Sequence, residues 1–250
     1  MLNPIRHDRL KTFSPPSEDM RENRIVGFNS SRVARPFSLL RTQFEKKLKA
    51  NKWRLVGVTS ATPGAGKSFL SANLASTLSR LPDRMTYLID LDLHRGSVAE
   101  NFALRKGKGI NDFLSGEVND LNEIGLKIEG SNLAIFPTFV GDYDSTELLS
   151  GERFLQLIGA LRLLSEDAFI ICDLPPVFAN DDTMVIMQKL DAYMLVVEQG
   201  ITNERQVRNT VRMLDPSPCL GSVLNRYESG FNDPYGYGYG SKYYSKYYDR

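Results

Sequence analysis

The sequence predicts an α/β fold that is doubly wound, with a mainly parallel sheet and helices on both of its faces. Two observations support this prediction. Short runs that are apolar throughout, such as RLVGVTS (54–60) and AFIICD (168–173), recur along the chain. Segments in which apolar residues follow a helical spacing separate these runs. Fully apolar strands joined by helices are typical of parallel sheets that are buried on both faces.

The predicted elements alternate from residue 36 onward. The first helix (36–50) places Phe37, Leu40, Phe44 and Leu48 at helical spacing. Strands are predicted at 54–60, 85–90, 133–138, 168–173, 192–198 and 219–225. Helices are predicted at 68–81, 97–104, 109–115, 153–165, 181–190 and 203–214. Together these elements form one predicted domain that covers residues 36–230.

Two flanking segments differ in composition from that domain. Residues 1–35 are polar and are predicted to be a flexible leader and interaction segment, in which RIVGF (24–28) adds a short extended piece. Residues 231–250 contain no Val, Ile, Leu or Met, which predicts a disordered tail. Its tyrosines are Tyr235, Tyr237, Tyr239, Tyr243, Tyr244, Tyr247 and Tyr248. Tyrosines among Gly and Ser also occur in purely adhesive segments, so composition alone leaves the tail's role open.

The charge and hydropathy of the chain exclude several classes of function. The formal net charge is +1 and no basic stripe stands out, which argues against a nucleic-acid partner. No apolar run approaches the roughly 18–20 residues that cross a bilayer, and the N-terminal residues lack the apolar core of a signal peptide. We therefore expect a protein that stays in the cytoplasm unless a partner holds it at the inner face of the plasma membrane.

The most specific motif is ATPGAGKS (61–68), which follows a buried strand and opens a helix. This is the context of a phosphate-binding P-loop, whose backbone N–H groups surround a phosphate. Lys67 is expected to reach the β- and γ-phosphates, and Ser68 to ligate Mg²⁺. The residues predicted to bind the nucleotide here are Pro63, Gly64, Ala65, Gly66, Lys67, Ser68 and Phe69. The sheet is thus predicted to be of the P-loop NTPase type.

Three aspartates lie where predicted strands end. Asp173 closes FIICD, and Asp90 and Asp92 follow the second strand in YLIDLDLHRG. Ligands of open α/β sheets bind at the carboxyl ends of the strands, where a carboxylate can hold a magnesium shell. Aspartate is also a common turn residue at strand ends, so each position alone is weak evidence. Beside a P-loop, the three together predict a metal-dependent site.

These segments resemble the bacterial tyrosine kinases of capsule and exopolysaccharide synthesis, which are P-loop autokinases. SATPGAGKSFLSANLA resembles the family's Walker A segment, YLIDLDLHRGSV its Walker A-prime motif and FIICDLPPVF its Walker B motif. GINDFLSGE, LNR (224–226) and the tyrosine-rich tail also resemble family segments. The likeness runs from about residue 24 to the end of the sequence. It implies ATP as phosphoryl donor, Mg²⁺ as cofactor and the seven tail tyrosines as phosphorylation sites.

The resemblance also implies roles for individual residues. Lys67, Asp90 and Asp92 would be catalytic, with Asp90 accepting the proton of the incoming tyrosine. Ser68, Asp92 and Asp173 would organise Mg²⁺. Asn225 or Arg226 would line the adenine pocket. A carboxylate is a weak base for a phenol, but positioning and charge neutralisation dominate phosphoryl transfer, so a weak base is sufficient.

The resemblance further implies partners. The chain would work with a separate membrane protein of the chain-length-determinant type as activator, and with a phosphotyrosine phosphatase. It would also self-associate and phosphorylate its tail in trans. Ring-forming members carry a Glu-x-x-Arg-x-x-Arg helix, but Arg35 and Ser38 replace its first two charged positions here and Arg41 alone matches. The usual ring contact is therefore not expected.

Two other interpretations remain open at this point. Regulatory ATPases of the deviant Walker class share the fold, but they often carry an extra lysine early in the loop, where this chain has Thr62. A catalytically idle scaffold would bind nucleotide and signal by assembly. Phosphate appearing in the tail would distinguish a kinase from both.

Overall fold

The computed structural model describes residues 3–28 and 32–228, which contain one eight-stranded sheet. Its strands are β1 (Lys11–Phe13), β2 (Leu55–Ser60), β3 (Thr86–Asp90), β4 (Leu126–Ile128), β5 (Leu133–Phe136), β6 (Phe169–Asp173), β7 (Ala192–Glu198) and β8 (Cys219–Asn225). They lie in the order β1-β4-β5-β3-β6-β2-β7-β8. Every pair is parallel except β4 with β5. The predicted mainly parallel sheet is confirmed.

Helices cover both faces of this sheet. They are α1 (Ser17–Glu22), α2 (Arg35–Asn51), α3 (Lys67–Leu78), α4 (Ser97–Asn101), α5 (Ile110–Ser115), α6 (Leu121–Ile124), α7 (Ser145–Ser150), α8 (Glu152–Arg162), α9 (Asp182–Met187) and α10 (Glu204–Met213). Residues of α1 to α4 pack in one core, and residues of α5 to α9 in the other. The doubly wound arrangement predicted from the sequence is therefore correct.

The two cores form because neighbouring strand residues point to opposite faces. Within β2, Leu55 belongs to the α8 side, whereas Val56 and Val58 pack beneath α3. All six residues of β2 are buried, as are all five of β3 and β6. Because β3, β6 and β2 are parallel neighbours, their carboxyl ends meet at one edge of the sheet, beside the start of α3.

The predicted flexible leader is wrong over the described residues of 1–35. β1 pairs with β4 in parallel, with Lys11 opposite Leu126, and α1 follows it. Four apolar residues of this segment are buried in the two cores: Ile5, Leu10, Met20 and Ile25. A three-residue strand is too short to show an alternating pattern, and these apolar residues are widely spaced along the chain. Their burial depends on contacts with distant parts of the chain, which local patterns do not reveal.

Residues 24–28, predicted as an extended piece, form a turn that packs on α3 rather than a strand. A Cβ at Gly27 would lie 2.6 Å from the Asn73 carbonyl oxygen and 2.6 Å from the Ser76 Cβ. Only glycine therefore allows this close approach to the helix.

The predicted tail falls on residues 231–250, outside the residues that the structure describes, and so do its seven tyrosines. Within the described ranges, none of the helices combines the length and the apolar character that a bilayer span requires.

Candidate active site

The phosphate loop joins β2 to α3 and requires glycine at two positions. Gly64 and Gly66 both have left-handed backbones, with φ of 86° and 88°. Gly66 is also crowded, since a Cβ there would collide with the side-chain amide of Asn225, whereas a Cβ at Gly64 would meet nothing within 4 Å. The Asn225 amide donates a 2.8 Å hydrogen bond to the carbonyl oxygen of Ala65. The end of β8 thus holds the loop from one side.

Helix α3 begins directly at the loop and points its first N–H groups toward it. Gly66 is the N-cap, and the first helical hydrogen bond runs from the Leu70 amide to the Gly66 carbonyl. The amides of Lys67, Ser68 and Phe69 therefore precede the hydrogen-bonded part of the helix. These donors and the positive end of the helix dipole suit a phosphate.

The Lys67 side chain lies in a buried ion pair. Its ammonium is 2.5 Å from Oδ2 of Asp92, and both residues are almost fully buried, with 6% and 2% of their surface exposed. Burial by itself lowers the pKa of Lys67, but the nearby Asp173, Asp92 and Asp90 carboxylates raise it overall. The lysine is thus held in its charged form at the base of the loop.

Asp90 and Asp173 lie side by side, because they are register partners at the ends of β3 and β6. The Asp90 carboxylate accepts hydrogen bonds from the backbone amides of Asp92 (3.2 Å) and Val98 (3.3 Å). Oδ1 of Asp173 accepts one from the Ser71 hydroxyl at 3.0 Å. Oδ2 of Asp173 is buried and has no hydrogen-bond partner among the described residues. An orphaned carboxylate oxygen here is suited to a cation or to an ordered water.

Burial raises the pKa of Asp90 well above its usual value, and the neighbouring Asp173 and Asp92 add to this. Burial also raises the pKa of Asp173, against the opposing effect of Lys67. When all are ionised, three carboxylates face one ammonium, which leaves an excess of two negative charges. One divalent cation would neutralise this excess. The charge balance and the orphaned Asp173 oxygen therefore fit the predicted Mg²⁺.

The described residues contain no cage of three or more His, Cys, Asp or Glu side chains ready to hold a metal ion. Mg²⁺ commonly takes one or two carboxylates together with phosphate oxygens and water. Ser68, which interacts with Asp173, could supply its hydroxyl to such a mixed shell.

The structure brings together most residues that the sequence proposed for the site. Lys67, Ser68, Asp90, Asp92 and Asp173 are all buried at the carboxyl edge of the sheet. Their roles as catalytic groups and metal ligands stay predictions, as does the binding of nucleotide by the loop residues.

The side chains of two predicted nucleotide-binding residues contact other parts of the protein in this structure. The Phe69 ring packs edge-on against Phe37, with ring centroids 5.9 Å apart, so that its backbone alone faces the loop. Arg226 follows Asn225 and forms an ion pair with Glu198 at 2.5 Å. Of the two residues proposed for the adenine pocket, Asn225 therefore contacts the loop and Arg226 is held by β7.

Sequence reasoning missed two hydroxyls that position the acidic cluster. Ser71 lies one helical turn after Lys67, and its spacing could have revealed that it faces the sheet. Thr138 donates to the backbone carbonyl of Asp90 at 2.8 Å. It comes from the loop after β5, 48 residues away, and no local pattern links it to the site.

A P-loop that holds an acidic cluster at the carboxyl edge of a parallel sheet defines a nucleotide-binding α/β protein. No protein-family model matches the chain. Tyrosine-protein kinase CpsD of Streptococcus pneumoniae is 33% identical over 194 residues, which are 76% of this chain and 83% of CpsD. The chain therefore belongs to the bacterial tyrosine-protein kinase family that includes CpsD.

Another relative, EpsB of Ralstonia nicotianae, is 28% identical over 204 residues. That match covers 79% of this chain and 27% of EpsB, so the chain spans about a quarter of that longer relative. The solved kinase domain of VpsO is 29% identical with a TM-score of 0.65, and the match covers 76% of this chain and 97% of that domain. The septum-site protein MinD of Pyrococcus horikoshii, solved with Mg-ADP, has a TM-score of 0.57 at 21% identity, with 71% and 72% covered. The MinD similarity shows the shared fold alone.

Proposed function

We propose that this chain is a protein-tyrosine kinase that transfers the γ-phosphoryl group of ATP to tyrosines of its own residues 231–250. The observation that carries the proposal is the buried cluster of Lys67, Asp90, Asp92 and Asp173 beside the P-loop. Buried charges are costly to a fold unless they are paired or used. An excess of two negative charges beneath a phosphate loop suits a site that binds a phosphate together with a divalent cation.

In the proposed reaction, the tyrosine oxygen forms a bond to the γ-phosphorus and the bond to the β,γ-bridging oxygen breaks. ADP leaves, and the phenolic proton passes to Asp90. Lys67 binds the β- and γ-phosphates once it exchanges Asp92 for them. Ser68, Asp92 and Asp173 would hold Mg²⁺, which when bound would neutralise charge on the phosphates.

The surroundings of Asp90 support its role as proton acceptor. Its raised pKa, caused first by burial, brings it closer to that of a tyrosine hydroxyl and makes it a stronger base than an exposed aspartate. Asp90 has no exposed surface here, so a tyrosine can contact it only when the residues that cover it move.

Membership of the family supports a proposal for the biological role. We propose that tail phosphorylation regulates the synthesis or export of capsule or exopolysaccharide, in cycles that a phosphatase completes. A separate membrane protein of the chain-length-determinant type would activate the chain at the inner face of the plasma membrane. Phosphorylation would occur in trans between associated copies, although Arg35 and Ser38 depart from the charges of ring-forming members.

Incubation of the purified chain with Mg-ATP, followed by mass spectrometry of its tail, tests the kinase proposal. The wild type should gain phosphate on tail tyrosines, and Lys67→Met should lose this while its circular dichroism stays native. Lys49→Met removes an exposed lysine of α2 and should leave the reaction unchanged. An undiminished phosphotyrosine signal in Lys67→Met would refute the assignment. ATP hydrolysis without phosphotyrosine would point to a regulatory ATPase instead.

A further inference from the structure

A large cavity lies away from the acidic cluster, between the N-terminal segment, the start of α2 and the outer side of α3. Its volume is about 1050 Å³. Apolar and aromatic side chains form much of its wall, among them Met20, Phe28, Phe37 and Phe69. This wall resembles an aromatic-binding surface more than a solvated cleft.

Three arginines line the same cavity: Arg21, Arg24 and Arg80. One acidic residue, Glu129, lines it as well, and its carboxylate accepts a hydrogen bond from the Ser14 hydroxyl. Arg21 and Arg24 are exposed, and neither forms an ion pair with any residue in the described ranges. The cavity therefore combines an apolar wall with an excess of guanidinium groups, which favour phosphate.

Helix α3 holds the backbone at Arg24 in a strained conformation. Arg24 has a φ of 55°, an unfavourable conformation for a residue with a side chain. The Asn73 side chain of α3 holds it there, donating to the Arg24 carbonyl at 3.2 Å and accepting from the Val26 amide at 2.8 Å. Strained residues that the surroundings fix in this way often belong to ligand sites.

We propose that this cavity binds a phosphotyrosine of the chain's own tail. A phosphotyrosine offers an aromatic ring for the apolar wall and a dianionic phosphate for the arginines. The tail between residues 235 and 248 contains seven tyrosines. This inference rests on the proposed function, because it requires that tail tyrosines become phosphorylated.

The tail is long enough to reach the cavity of the same molecule. Six strand spacings, or roughly 29 Å, separate β8 from β4, whose end lines the cavity. Because β4 runs antiparallel to β5 and so to β8, its carboxyl end lies at the opposite edge of the sheet, and the length of the seven-residue β8 adds roughly 23 Å to the path. Tyr247 lies 19 residues beyond residue 228, and an extended chain spans about 3.3 Å per residue, or roughly 63 Å. The distal tyrosines can therefore reach the cavity without a second copy.

Docking there would connect phosphorylation to the nucleotide site. Phe69 lines the cavity and immediately follows Ser68 of the phosphate loop. A phosphorylated tail that is bound in the cavity could also not enter the active site of a neighbouring molecule. Occupation of the cavity would thus depend on whether the tail is phosphorylated.

Peptide binding tests this proposal without requiring kinase activity. The probe is a labelled synthetic peptide of residues 241–250 with phosphate on Tyr247, added without nucleotide to the full chain after phosphatase treatment. Fluorescence anisotropy should show at least tenfold tighter binding than for the unmodified peptide, or for the same peptide with phosphate on Ser245 in place of Tyr247. The double variant Arg21→Gln/Arg24→Gln should bind the phosphotyrosine peptide at least tenfold more weakly.

The matched control is Arg205→Gln/Arg212→Gln, which removes the same charge from two exposed arginines of α10. Equal affinity for the two double variants would overturn the cavity as the site, and equal binding of the phosphoserine peptide would overturn phosphotyrosine recognition. A chain whose tail has been phosphorylated by a purified tyrosine kinase should bind the added peptide at least tenfold more weakly, because its cavity is occupied. Unchanged binding by that chain would refute docking of its own tail. Because the peptide is synthetic, these results do not depend on whether the chain is itself a kinase.

Discussion

The centre of the sheet and its N-terminal edge hold their charges in opposite ways. At the centre, Lys67, Asp90 and Asp173 are buried and fixed by neighbours. At the edge, Arg21 and Arg24 are exposed beside an apolar cavity. Buried charges cost stability, so the central cluster indicates a site kept for chemistry rather than for folding. The exposed arginines remain hydrated and cost the fold little stability, so they are available to bind a ligand.

The largest expected effect concerns catalysis at the centre. We predict that Asp90→Asn lowers kcat for tail phosphorylation by about 100-fold or more, because it removes the general base. Nucleotide affinity should change little, since a base acts in the transition state more than in the ground state. Steady-state kinetics and equilibrium binding of a labelled nucleotide measure the two effects.

Asp83→Asn is the control for that experiment, because Asp83 is an exposed turn residue with a φ of 61°, a conformation that asparagine tolerates. Its kinetics should match those of the wild type. If Asp90→Asn instead lost nucleotide binding while bound ATP turned over normally, the role of Asp90 would be wrong.

The next effect tests whether the N-terminal edge belongs to the fold. Leu10 is buried in the same core as Leu121 and Ile124. We predict that Leu10→Ala lowers the free energy of unfolding by about 2–4 kcal/mol, as for other buried leucines. Leu39→Ala, at a site that is 65% exposed, should cost less than about 0.5 kcal/mol. Urea denaturation measures both variants. If Leu10→Ala lost as little free energy of unfolding as Leu39→Ala, the N-terminal segment would be a flexible leader after all.

A smaller effect distinguishes the two glycines of the phosphate loop. Gly64 and Gly66 share a left-handed backbone, but Gly66 alone is crowded by Asn225. We predict that Gly66→Ala destabilises the protein by about 1–2 kcal/mol more than Gly64→Ala does. Adding Asn225→Ala to Gly66→Ala should recover part of this difference. Equal losses for the two glycine variants would show that Asn225 does not restrain the loop.

The smallest effect is the pH dependence of stability without metal or nucleotide. Burial raises the pKa values of Asp90 and Asp173, so the folded protein binds more protons than the unfolded chain above an unfolded pKa of about 3.9. The free energy of unfolding should therefore fall as the pH rises from about 4 through the raised values. Asp90→Asn should lessen this fall, whereas Asp83→Asn should not. Urea denaturation in EDTA across that pH range would contradict the account if Asp90→Asn followed the wild-type curve.

The same contrast explains what the sequence could predict. The central strands and the phosphate loop are local patterns, since the glycine motif directly follows one apolar run, and Asp90 and Asp173 each close another. The ends of the predicted strands also placed Asp90 and Asp173 correctly at the carboxyl edge of the sheet. At the N-terminal edge of the sheet, β1 and β4 are strands of three residues each. They pair with each other although more than 100 residues of sequence separate them. No local pattern announces such a pairing.

Within the site, the missing details were those that depend on packing between distant segments. The pairing of Lys67 with Asp92, the support of Asp90 by Thr138 and the contact of Asn225 with Ala65 each join segments far apart in sequence. Sequence motifs point to a residue only if it lies in the phosphate loop or at the end of a predicted strand. Thr138 belongs to neither and was missed.

A single-turnover reaction distinguishes transfer of phosphate to the chain's own tyrosines from simple ATP hydrolysis. The chain is loaded with less than one equivalent of γ-labelled Mg-ATP and quenched at intervals, and labelled ATP, phosphotyrosine and free phosphate are separated. We predict that phosphotyrosine in residues 231–250 appears at the rate at which ATP disappears, and that Asp90→Asn slows both equally. Loss of ATP with release of free phosphate and no phosphotyrosine would contradict it and would make the buried cluster the site of an ATPase.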